Sequence, residues 1–500
     1  MAMTSYIRQR PLQIAWVGLN ILLGAGAGAF LFWGPFTLNG LWPVLGGLLG
    51  GMAAGLPWYE HLRSLEQGEV EKARQIRKRL FWIQGMILVG VGATMLAQYH
   101  LFGALKPLTQ NRQASFNRLW WAMEKAYPYF AEKGVDWRAV KEKYAPLIAR
   151  ASTDDEYFQT IGAALGELHD GHTRLLSPYY GPECCFAFTR EIEGQAVIIQ
   201  SGSEAEAVGL LPGSILQSVN GQPVLQALAA PAVQGYSSPW NERVIAFFYL
   251  LAFPREGGLA VTFIDPQGEQ KTVTLERKTG DSRSASQSAP GIVSWERLDS
   301  GVGYIRIRQF WNREGSDLVT EFDDALNSLA DAPGIILDIR GNGGGDSTLA
   351  DKIAGRFYAS KFVYGEEIHP ARLPFFAWRG RFTYDVSPRG TQYAGPVALL
   401  VDERVISSAE MFVASLADSG RAQTFGRQTA GASGNPITFH LPGGGFARFS
   451  TGSFSRNNGM LVEGVGIAPD YPVAWSLEDV RLGRDADISA ADAWLQEQFK

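Results

Sequence analysis

The chain has 500 residues and a formal net charge of −5, with 46% hydrophobic and 19% charged residues. A chain of this length can bury sizeable cores, this composition excludes a disordered chain, and a total of two cysteines excludes a disulfide scaffold. The charge is distributed unevenly, because residues 1–103 contain eight Lys or Arg and four Glu, which leaves 37 basic and 46 acidic residues for the rest. The chain therefore divides into a cationic amino-terminal part and an acidic remainder.

Two segments of the amino-terminal part, residues 11–59 and 80–105, lack Asp, Glu, Lys and Arg. Because a bilayer span requires about 20 apolar residues, they predict three transmembrane helices at about residues 12–33, 41–58 and 81–102. Basic residues precede the first span and lie between the second and third, so the positive-inside rule predicts a cytoplasmic amino terminus and a remainder outside the cytoplasm. This is the pattern of a multi-pass protein of the cell (inner) membrane, with the lipid bilayer as a partner. Buried core helices or, for the first segment, a cleaved signal peptide are the alternatives.

The remainder of the chain changes its hydrophobic periodicity along its length. Residues 106–178 show the three- and four-residue spacing of helices, whereas residues 179–280 approach the two-residue period of strands. A Ser-rich linker occupies residues 281–294, strands and helices then alternate over residues 295–480 as in an α/β domain, and residues 481–500 form a C-terminal segment. The basic residues of the amino-terminal part are interleaved with glutamates, so no nucleic-acid partner is predicted.

A glycine-rich loop follows a predicted buried strand in Gly334-Ile-Ile-Leu-Asp-Ile-Arg-Gly-Asn-Gly-Gly-Gly-Asp346. Such a loop lets backbone N–H groups approach a phosphate or an oxyanion closely. No Gly-Lys-Ser/Thr follows, and Asp346 stands where a dinucleotide site needs glycine, which disfavours a phosphate. A tight turn without a ligand is the alternative.

A second strand-to-helix turn contains Val405-Ile-Ser-Ser-Ala-Glu410. A hydroxyl at such a turn lies against a helix N-terminus, whose N–H groups favour developing negative charge. The alternative is a helix cap, because Ser407 and Glu410 have the spacing of a capping box.

A pair of histidines, His169 and His172, lies where the predicted helical region ends. Two histidines three residues apart could be metal ligands, but the other histidines are scattered in the sequence, so no metal and no cofactor are predicted. A catalytic and a structural role remain open for them. The adjacent Cys184 and Cys185 close only a strained ring, and we predict neither a disulfide nor a nucleophile there.

Further segments accompany these three in a fixed order along the chain. They are Trp120…Tyr127…Tyr129-Phe130…Gly134-Val-Asp-Trp137, Leu165-Gly-Glu-Leu-His-Asp-Gly-His-Thr173, Ala205-Glu-Ala-Val-Gly-Leu-Leu-Pro-Gly-Ser-Ile-Leu-Gln-Ser-Val-Asn-Gly221, Gly303-Tyr-Ile-Arg-Ile307, Leu416-Ala-Asp-Ser-Gly-Arg421 and Leu461-Val-Glu-Gly-Val-Gly-Ile-Ala-Pro-Asp470. In this order they resemble the S41 peptidase family, which comprises the tail-specific or C-terminal processing proteases and their tricorn-like relatives. The resemblance extends over about residues 114–473.

The resemblance implies an α/β catalytic core of the ClpP/crotonase-like type, an N-terminal helical subdomain and a PDZ-like β-rich domain. Together with the three predicted transmembrane helices, these parts make up the predicted fold class. In the PDZ-like segment Ser214 replaces the usual aspartate, and residues 181–185 displace the expected carboxylate-binding loop. Recognition of a free C-terminus is therefore not implied, while strand addition at a sheet edge remains open.

Two catalytic arrangements occur in the family, and the sequence distinguishes them. The Ser-Lys branch has Thr-x-Gly-Lys where this chain has Thr429-Ala-Gly-Ala432, and no lysine occurs from Phe362 to Phe499. The tricorn-like branch has a Ser-His-Glu system, whose histidine and glutamate positions match His172 and Glu463. That branch also has a serine immediately before the histidine, where this chain has Gly171, and the candidates to replace that serine are Asp170 and Thr173.

The resemblance implies acyl transfer in which Ser407 attacks a peptide carbonyl, His172 accepts its proton and Glu463 orients or supports the assembly. The N–H of Ser408, with that of either Gly343 or Gly344, is the expected oxyanion hole.

The predicted function is that of a membrane-anchored serine endopeptidase acting on extracytoplasmic proteins or peptides. The alternative is a catalytically inactive S41-like protein that binds or senses a peptide or another ligand, because a fold does not determine a function.

Overall fold

A computed structural model describes residues 67–72, 74–76, 78–79, 82, 110–177, 185–228, 235–252, 257–276, 291–370, 372–373, 376–377 and 380–499. Its contacts divide the chain into two units, Met1–Pro107 and Leu108–Lys500. In the first unit, the described residues from Val70 to Trp82 have helical backbone. All elements named below belong to the second unit.

The prediction of three transmembrane helices is wrong for the described structure. Within the ranges given above, no helix combines the length and the apolar character that a membrane crossing needs. The longest helix of the second unit that the structure describes, Arg112–Ala126, has 15 residues, whereas a span needs about 20. The predicted spans at residues 12–33, 41–58 and 81–102 lie outside the described residues, except for Trp82. The predicted lipid bilayer partner depended on these helices and is not supported either. The location at the cell (inner) membrane stays a prediction.

Three helices open the second unit, as the apolar spacing predicts: α1 (Arg112–Ala126), α2 (Trp137–Arg150) and α3 (Asp154–Gly166). Each begins after a residue whose side chain accepts backbone N–H bonds, namely Asn111, Asp136 and Thr153. Such caps satisfy N–H groups that have no partner inside a helix, so they define where these helices start. Strand β1 (Arg174–Leu176) follows α3.

A mostly antiparallel β domain comes next. It consists of β2 (Ala187–Ile192), β3 (Gln195–Ser201), α4 (Ser203–Ala207), β4 (Ile215–Val219), β5 (Gln222–Pro223), α5 (Val224–Ala227), α6 (Pro239–Phe248), β6 (Leu259–Ile264) and β7 (Gln270–Leu275). The strand order is β2-β3-β4-β6-β7, with β5 paired to β4. The predicted strands are confirmed, and the PDZ-like character of this domain stays a prediction.

The α/β core contains the remaining elements. They are β8 (Val293–Arg297), β9 (Gly303–Ile307), α7 (Leu318–Ser328), β10 (Ile335–Asp338), α8 (Ser347–Ala354), β11 (Phe362–His369), β12 (Arg372–Leu373), β13 (Phe376–Ala377), β14 (Gly380–Val386), β15 (Val397–Val401), α9 (Ser408–Asp418), β16 (Gln423–Gly426), β17 (Ile437–His440), β18 (Phe446–Phe449), β19 (Ser453–Arg456), β20 (Tyr471–Pro472), α10 (Leu477–Arg481) and α11 (Ala486–Gln498), with short 3₁₀ turns at Gly355–Phe357 and Pro442–Gly444. This alternation confirms the predicted α/β core.

The main sheet of the core has the order β20-β16-β15-β10-β9-β8, in which only the β8–β9 pair is antiparallel. Every residue of β10 and β15 is buried, because both faces of the sheet are covered. Ile335 and Leu337 pack in one core cluster with residues of α7, α8 and α9, and Ile336 packs in a second cluster with residues of α11. The neighbouring parallel strands β10 and β15 are therefore fully packed on both faces up to their carboxyl ends, where their loops emerge.

One pairing joins the helical subdomain to the core. Strand β1 pairs antiparallel with β18, with Arg174 opposite Arg448, in the three-stranded sheet β1-β18-β17. Since β1 begins two residues after His172, this pairing fixes the position of that histidine against the core.

Candidate active site

The glycine loop (residues 339–346) and the serine turn (residues 402–407) follow the carboxyl ends of the neighbouring parallel strands β10 and β15. Two hydrogen bonds join them directly: Gly341 N–H donates to Asp402 Oδ1 at 2.8 Å, and Ile406 N–H donates to Asn342 O at 3.2 Å. The buried Asn342 side chain adds a link to β9, because its amide donates to Ile307 O at 3.1 Å. Ligand-binding loops are expected at this edge of an open α/β sheet.

Ser407 lies in the left-handed half of backbone space, with φ 63° and ψ −130°. An L-residue adopts this conformation only when its surroundings impose it, and such strain is concentrated at functional sites. The Ser407 N–H donates to Ala432 O at 2.8 Å. Ser407 is half-buried, whereas Ser408 is buried, with 3% of its surface exposed. This geometry presents the side chain of Ser407 rather than that of Ser408 at the turn.

The capping-box interpretation of Ser407 and Glu410 is wrong. The Ser407 side chain makes no capping hydrogen bond. Glu410 is fully buried, and its carboxylate accepts hydrogen bonds from Thr429 Oγ1 at 2.6 Å and from the N–H groups of Gly431 and Ala432, each at 2.8 Å. Burial raises the pKa of Glu410 to about 8. The glutamate thus fixes the segment whose Ala432 carbonyl holds Ser407.

The glycine loop approaches the serine closely. A Cβ placed on Gly344, whose φ is +88°, would lie 2.8 Å from Ser407 Cβ and 3.1 Å from Ser408 N. The Gly344 N–H already donates to Asn342 Oδ1 at 2.9 Å. Of the two glycines predicted for the oxyanion hole, Gly343 is therefore the better donor, since it is exposed and a Cβ there would meet no atom within 4 Å.

His172 is buried, at 6% exposure, and its Nδ1 has no hydrogen-bond partner among the described residues. Its backbone N–H donates to Asp170 Oδ1 at 2.8 Å. Burial lowers the pKa of His172 to about 4, with the nearby Asp170 carboxylate opposing that shift. The imidazole is therefore neutral near pH 7, which is the protonation state that a general base requires.

The His172 segment (residues 169–173) packs against the Ala432 backbone that holds Ser407. A Cβ on Gly171 would lie 3.2 Å from Ala432 Cβ and 3.3 Å from Ser237 Oγ, and that hydroxyl accepts the Gly171 N–H at 2.8 Å. A serine side chain at residue 171 would meet both neighbours. Asp170 and Thr173 were the candidates to replace the serine that the tricorn-like branch has before its histidine. The Asp170 carboxylate accepts hydrogen bonds from the His172 N–H and from the Thr173 hydroxyl, the latter at 2.8 Å.

His169 has a different position from His172. It is exposed and has a positive φ of 45°. Within the described ranges, no group of three or more His, Cys, Asp or Glu side chains is arranged to hold a metal ion.

Glu463 is buried, and both of its carboxyl oxygens accept hydrogen bonds. Its Oε1 accepts from Lys133 Nζ at 2.7 Å, and its Oε2 accepts from the Ser433 N–H at 2.9 Å. Burial raises the pKa of Glu463 to about 8, Asp170 adds to the rise, and Lys133 opposes it. The structure thus places Glu463 beside the segment that holds Ser407, where it supports that segment.

Lys133 is the residue that the sequence analysis missed. The family's Ser-Lys branch has its lysine after the serine, whereas Lys133 lies in the loop between α1 and α2 and contacts Glu463 across 330 positions. The one available signal was its location inside the segment between Tyr129 and Gly134. A lysine in a polar loop is ordinarily solvated, so this signal is weak.

Two family models match the chain: peptidase family S41 over residues 301–473, and the tricorn protease C1 domain over residues 108–166. The first match covers the glycine loop, the serine turn and Glu463. Residues 301–473 form a domain of peptidase family S41. The chain is accordingly a serine-type peptidase, and its substrates are proteins or peptides.

Named relatives of this S41 peptidase include processing enzymes. A carboxyl-terminal-processing protease of Picosynechococcus sp. is 23% identical over 439 residues, which cover 85% of this chain and 98% of that protein. The chloroplastic carboxyl-terminal-processing peptidase 2 of Arabidopsis thaliana is 24% identical over 392 residues, covering 75% and 72% of the two chains. The crystal structure of mature CPAF has a TM-score of 0.60 and 15% identity, over 77% of this chain and 96% of that one, and so shares the fold.

Proposed function

We propose that this S41 peptidase hydrolyses polypeptides through an acyl-enzyme on Ser407. The observation that carries the proposal is the strained Ser407 backbone at the start of α9, with a side chain that caps nothing and a glycine loop against its Cβ. A hydroxyl in this position faces the N–H groups of a helix N-terminus and of a glycine loop, as in a nucleophile turn.

His172 is the proposed base. It removes the Ser407 proton as the hydroxyl oxygen bonds to the substrate carbonyl carbon, and it returns that proton to the leaving amine when the C–N bond breaks. Water then attacks the ester in the same way and releases the acid. The low pKa of His172 keeps the imidazole neutral and able to accept a proton. Burial disfavours the imidazolium that then forms, and the Asp170 carboxylate offsets part of this effect.

The Ser408 and Gly343 N–H groups are the proposed oxyanion hole. Removing one such donor from a comparable site costs about 3 kcal/mol in transition-state stabilisation. Two named relatives act as carboxyl-terminal-processing enzymes, and this supports a substrate that is cleaved near its C-terminal end.

A fluorophosphonate probe tests the proposal. The full-length protein should form a covalent adduct on Ser407, Ser407→Ala should form none, and Ser408→Ala, which keeps the oxyanion N–H, should still react. A folded wild-type protein that forms no adduct would refute the nucleophile and favour the binding-protein alternative.

A further inference from the structure

The ammonium group of Lys133 joins three separate segments of the chain. It donates to Glu463 Oε1 at 2.7 Å, to His169 O at 2.5 Å and, more weakly, to Ser237 O at 3.4 Å. The side chains of Lys133 and Glu463 are 10% and 1% exposed, so solvent screens this ion pair little. Lysine side chains are rarely buried unless they are paired, so a loop lysine that is 10% exposed and donates three hydrogen bonds is unusual.

Each of the two strong bonds leads to one half of the proposed catalytic pair. Through Glu463 Oε2 the path continues to the Ser433 N–H, and the adjoining Ala432 carbonyl holds Ser407. Through His169 O it continues to the short His172 segment. One ammonium group therefore connects the segment that carries the base with residues 430–434, the Ser407-binding segment, whose Ala432 carbonyl accepts the Ser407 N–H.

The contacts of Lys133 exclude a role as the general base of a Ser-Lys dyad. A lysine that acts as a base must present a neutral nitrogen lone pair to the serine hydroxyl. Here the nitrogen donates to three carbonyl or carboxylate oxygens, and none of its hydrogen bonds goes to Ser407.

We propose that Lys133 is a positioning residue of this peptidase: its ammonium group holds the His172 segment and, through Glu463, the Ser407-binding segment in catalytic register. This inference rests on the proposed function, because it assigns the two segments to one reaction. Without the ammonium group, His169 O and Glu463 Oε1 both lose their hydrogen-bond donor, so both segments should shift when Lys133 is lost.

The protonation of Glu463 gives the proposal a distinctive pH signature. Burial raises the pKa of this carboxyl to about 8, and Lys133 opposes the rise, so loss of the ammonium raises the pKa further. An ionised Glu463 accepts the Ser433 N–H more strongly than a protonated one does. Measured as the ratio of wild-type to Lys133→Met activity at the same pH, the impairment should therefore be larger at pH 7 than at pH 9.5, where part of Glu463 ionises in the variant as well.

The experiment compares full-length wild type, Lys133→Met, Glu463→Gln and the double variant, with fluorescein-labelled casein as substrate. Lys143→Met is the matched control, because Lys143 pairs with Glu167 in the same helical subdomain but is 60% exposed. We expect kcat to fall by roughly 10- to 100-fold in both single variants with KM changed by less than about threefold, since small displacements of reacting groups cost this much. The double variant should lose no more than about twofold beyond Lys133→Met, and Lys143→Met should stay within about twofold of wild type.

Additive losses in the double variant, or a loss that is equal at pH 7 and pH 9.5, would overturn the proposal. Lys133→Arg covers the case of a poorly folded Lys133→Met, because it retains the charge. It should keep the pH dependence of wild type even where kcat falls, and a shifted dependence would count against the inference.

A second readout is independent of catalysis. Amide hydrogen exchange should accelerate at residues 169–173 and 430–434 together in Lys133→Met, and at neither in Lys143→Met. Unchanged exchange at either segment refutes the positioning role. If wild type fails to react with fluorophosphonate while Lys133→Met still shows accelerated exchange at both segments, the proposed function is refuted and the structural link is established.

Discussion

Replacing Ser407 by glycine should stabilise the protein while abolishing its activity. The φ of 63° and ψ of −130° at Ser407 form the mirror image of an extended conformation, which glycine adopts about as readily as its counterpart. An L-residue with a Cβ is strained there. Ser407→Ala removes the hydroxyl but keeps the Cβ and the strain, so the comparison of the two variants isolates the backbone conformation.

The expected difference follows from two opposing contributions. A non-glycine residue in such a region costs about 1–3 kcal/mol in the folded state. Glycine in turn loses about 0.4–1 kcal/mol more backbone entropy on folding than alanine does. We therefore expect Ser407→Gly to have a free energy of unfolding about 1 kcal/mol higher than that of Ser407→Ala.

Urea unfolding at pH 7, followed by far-UV circular dichroism, measures this difference as a shift in midpoint at constant slope. Ser408 provides the matched control, because it is the first residue of α9 and has ordinary helical surroundings. There the sign should reverse, with Ser408→Gly less stable than Ser408→Ala by roughly 0.5 kcal/mol. If Ser407→Gly is no more stable than Ser407→Ala, the strain and the nucleophile-turn interpretation built on it are refuted.

Three further outcomes are expected. The pKa of His172 is about 4 in the folded state and about 6.5 in the unfolded chain, so stability is lost as the pH falls through this window. In urea unfolding, wild type should lose about 2–3 kcal/mol more than His172→Gln between pH 7 and pH 4.5. Equal losses would contradict the burial of a neutral imidazole. Gly344→Ala should lower kcat/KM by about 100-fold or more in the casein assay, because its Cβ would collide with Ser407 Cβ, whereas Gly343→Ala should lower it less than tenfold. Glu410→Ala leaves two buried N–H groups without an acceptor and should cost at least about 3 kcal/mol in urea unfolding, and Glu410→Gln, which keeps one oxygen, should cost clearly less.

The buried strands of the core and the loops that follow them could be predicted from the sequence, because apolar runs and glycine-rich or serine-containing turns are local patterns. The uninterrupted apolar runs that became β10 and β15 can be stable only in a sheet covered on both faces, and the residues that follow such strands must lie at one edge. The sequence predicted each loop after a buried strand, and the family resemblance implied that both contribute to one oxyanion hole. The family resemblance implied Ser407 as the nucleophile, and its strained backbone supports that choice.

The contacts between distant segments could not be predicted in this way. The spacing of Ser407 and Glu410 is equally suited to a helix cap, and only the packing of residues 429–432 against α9 directs the glutamate to Thr429 instead. The three predicted transmembrane helices rested on composition alone, and the described structure contains no helix that meets the requirement.

The sequence alone determined the family, the α/β core and the identities of Ser407 and His172 as candidates, since these depend on residue type and order. The tertiary structure decided that Glu463 supports the Ser407-binding segment and that Lys133 is its partner. A charged residue in a loop has no periodic signature, and its partner lies 330 positions away. The pairing of β1 with β18 and the packing of the helical subdomain bring the two side chains into one buried site, where a hydrogen bond replaces the water that both have lost.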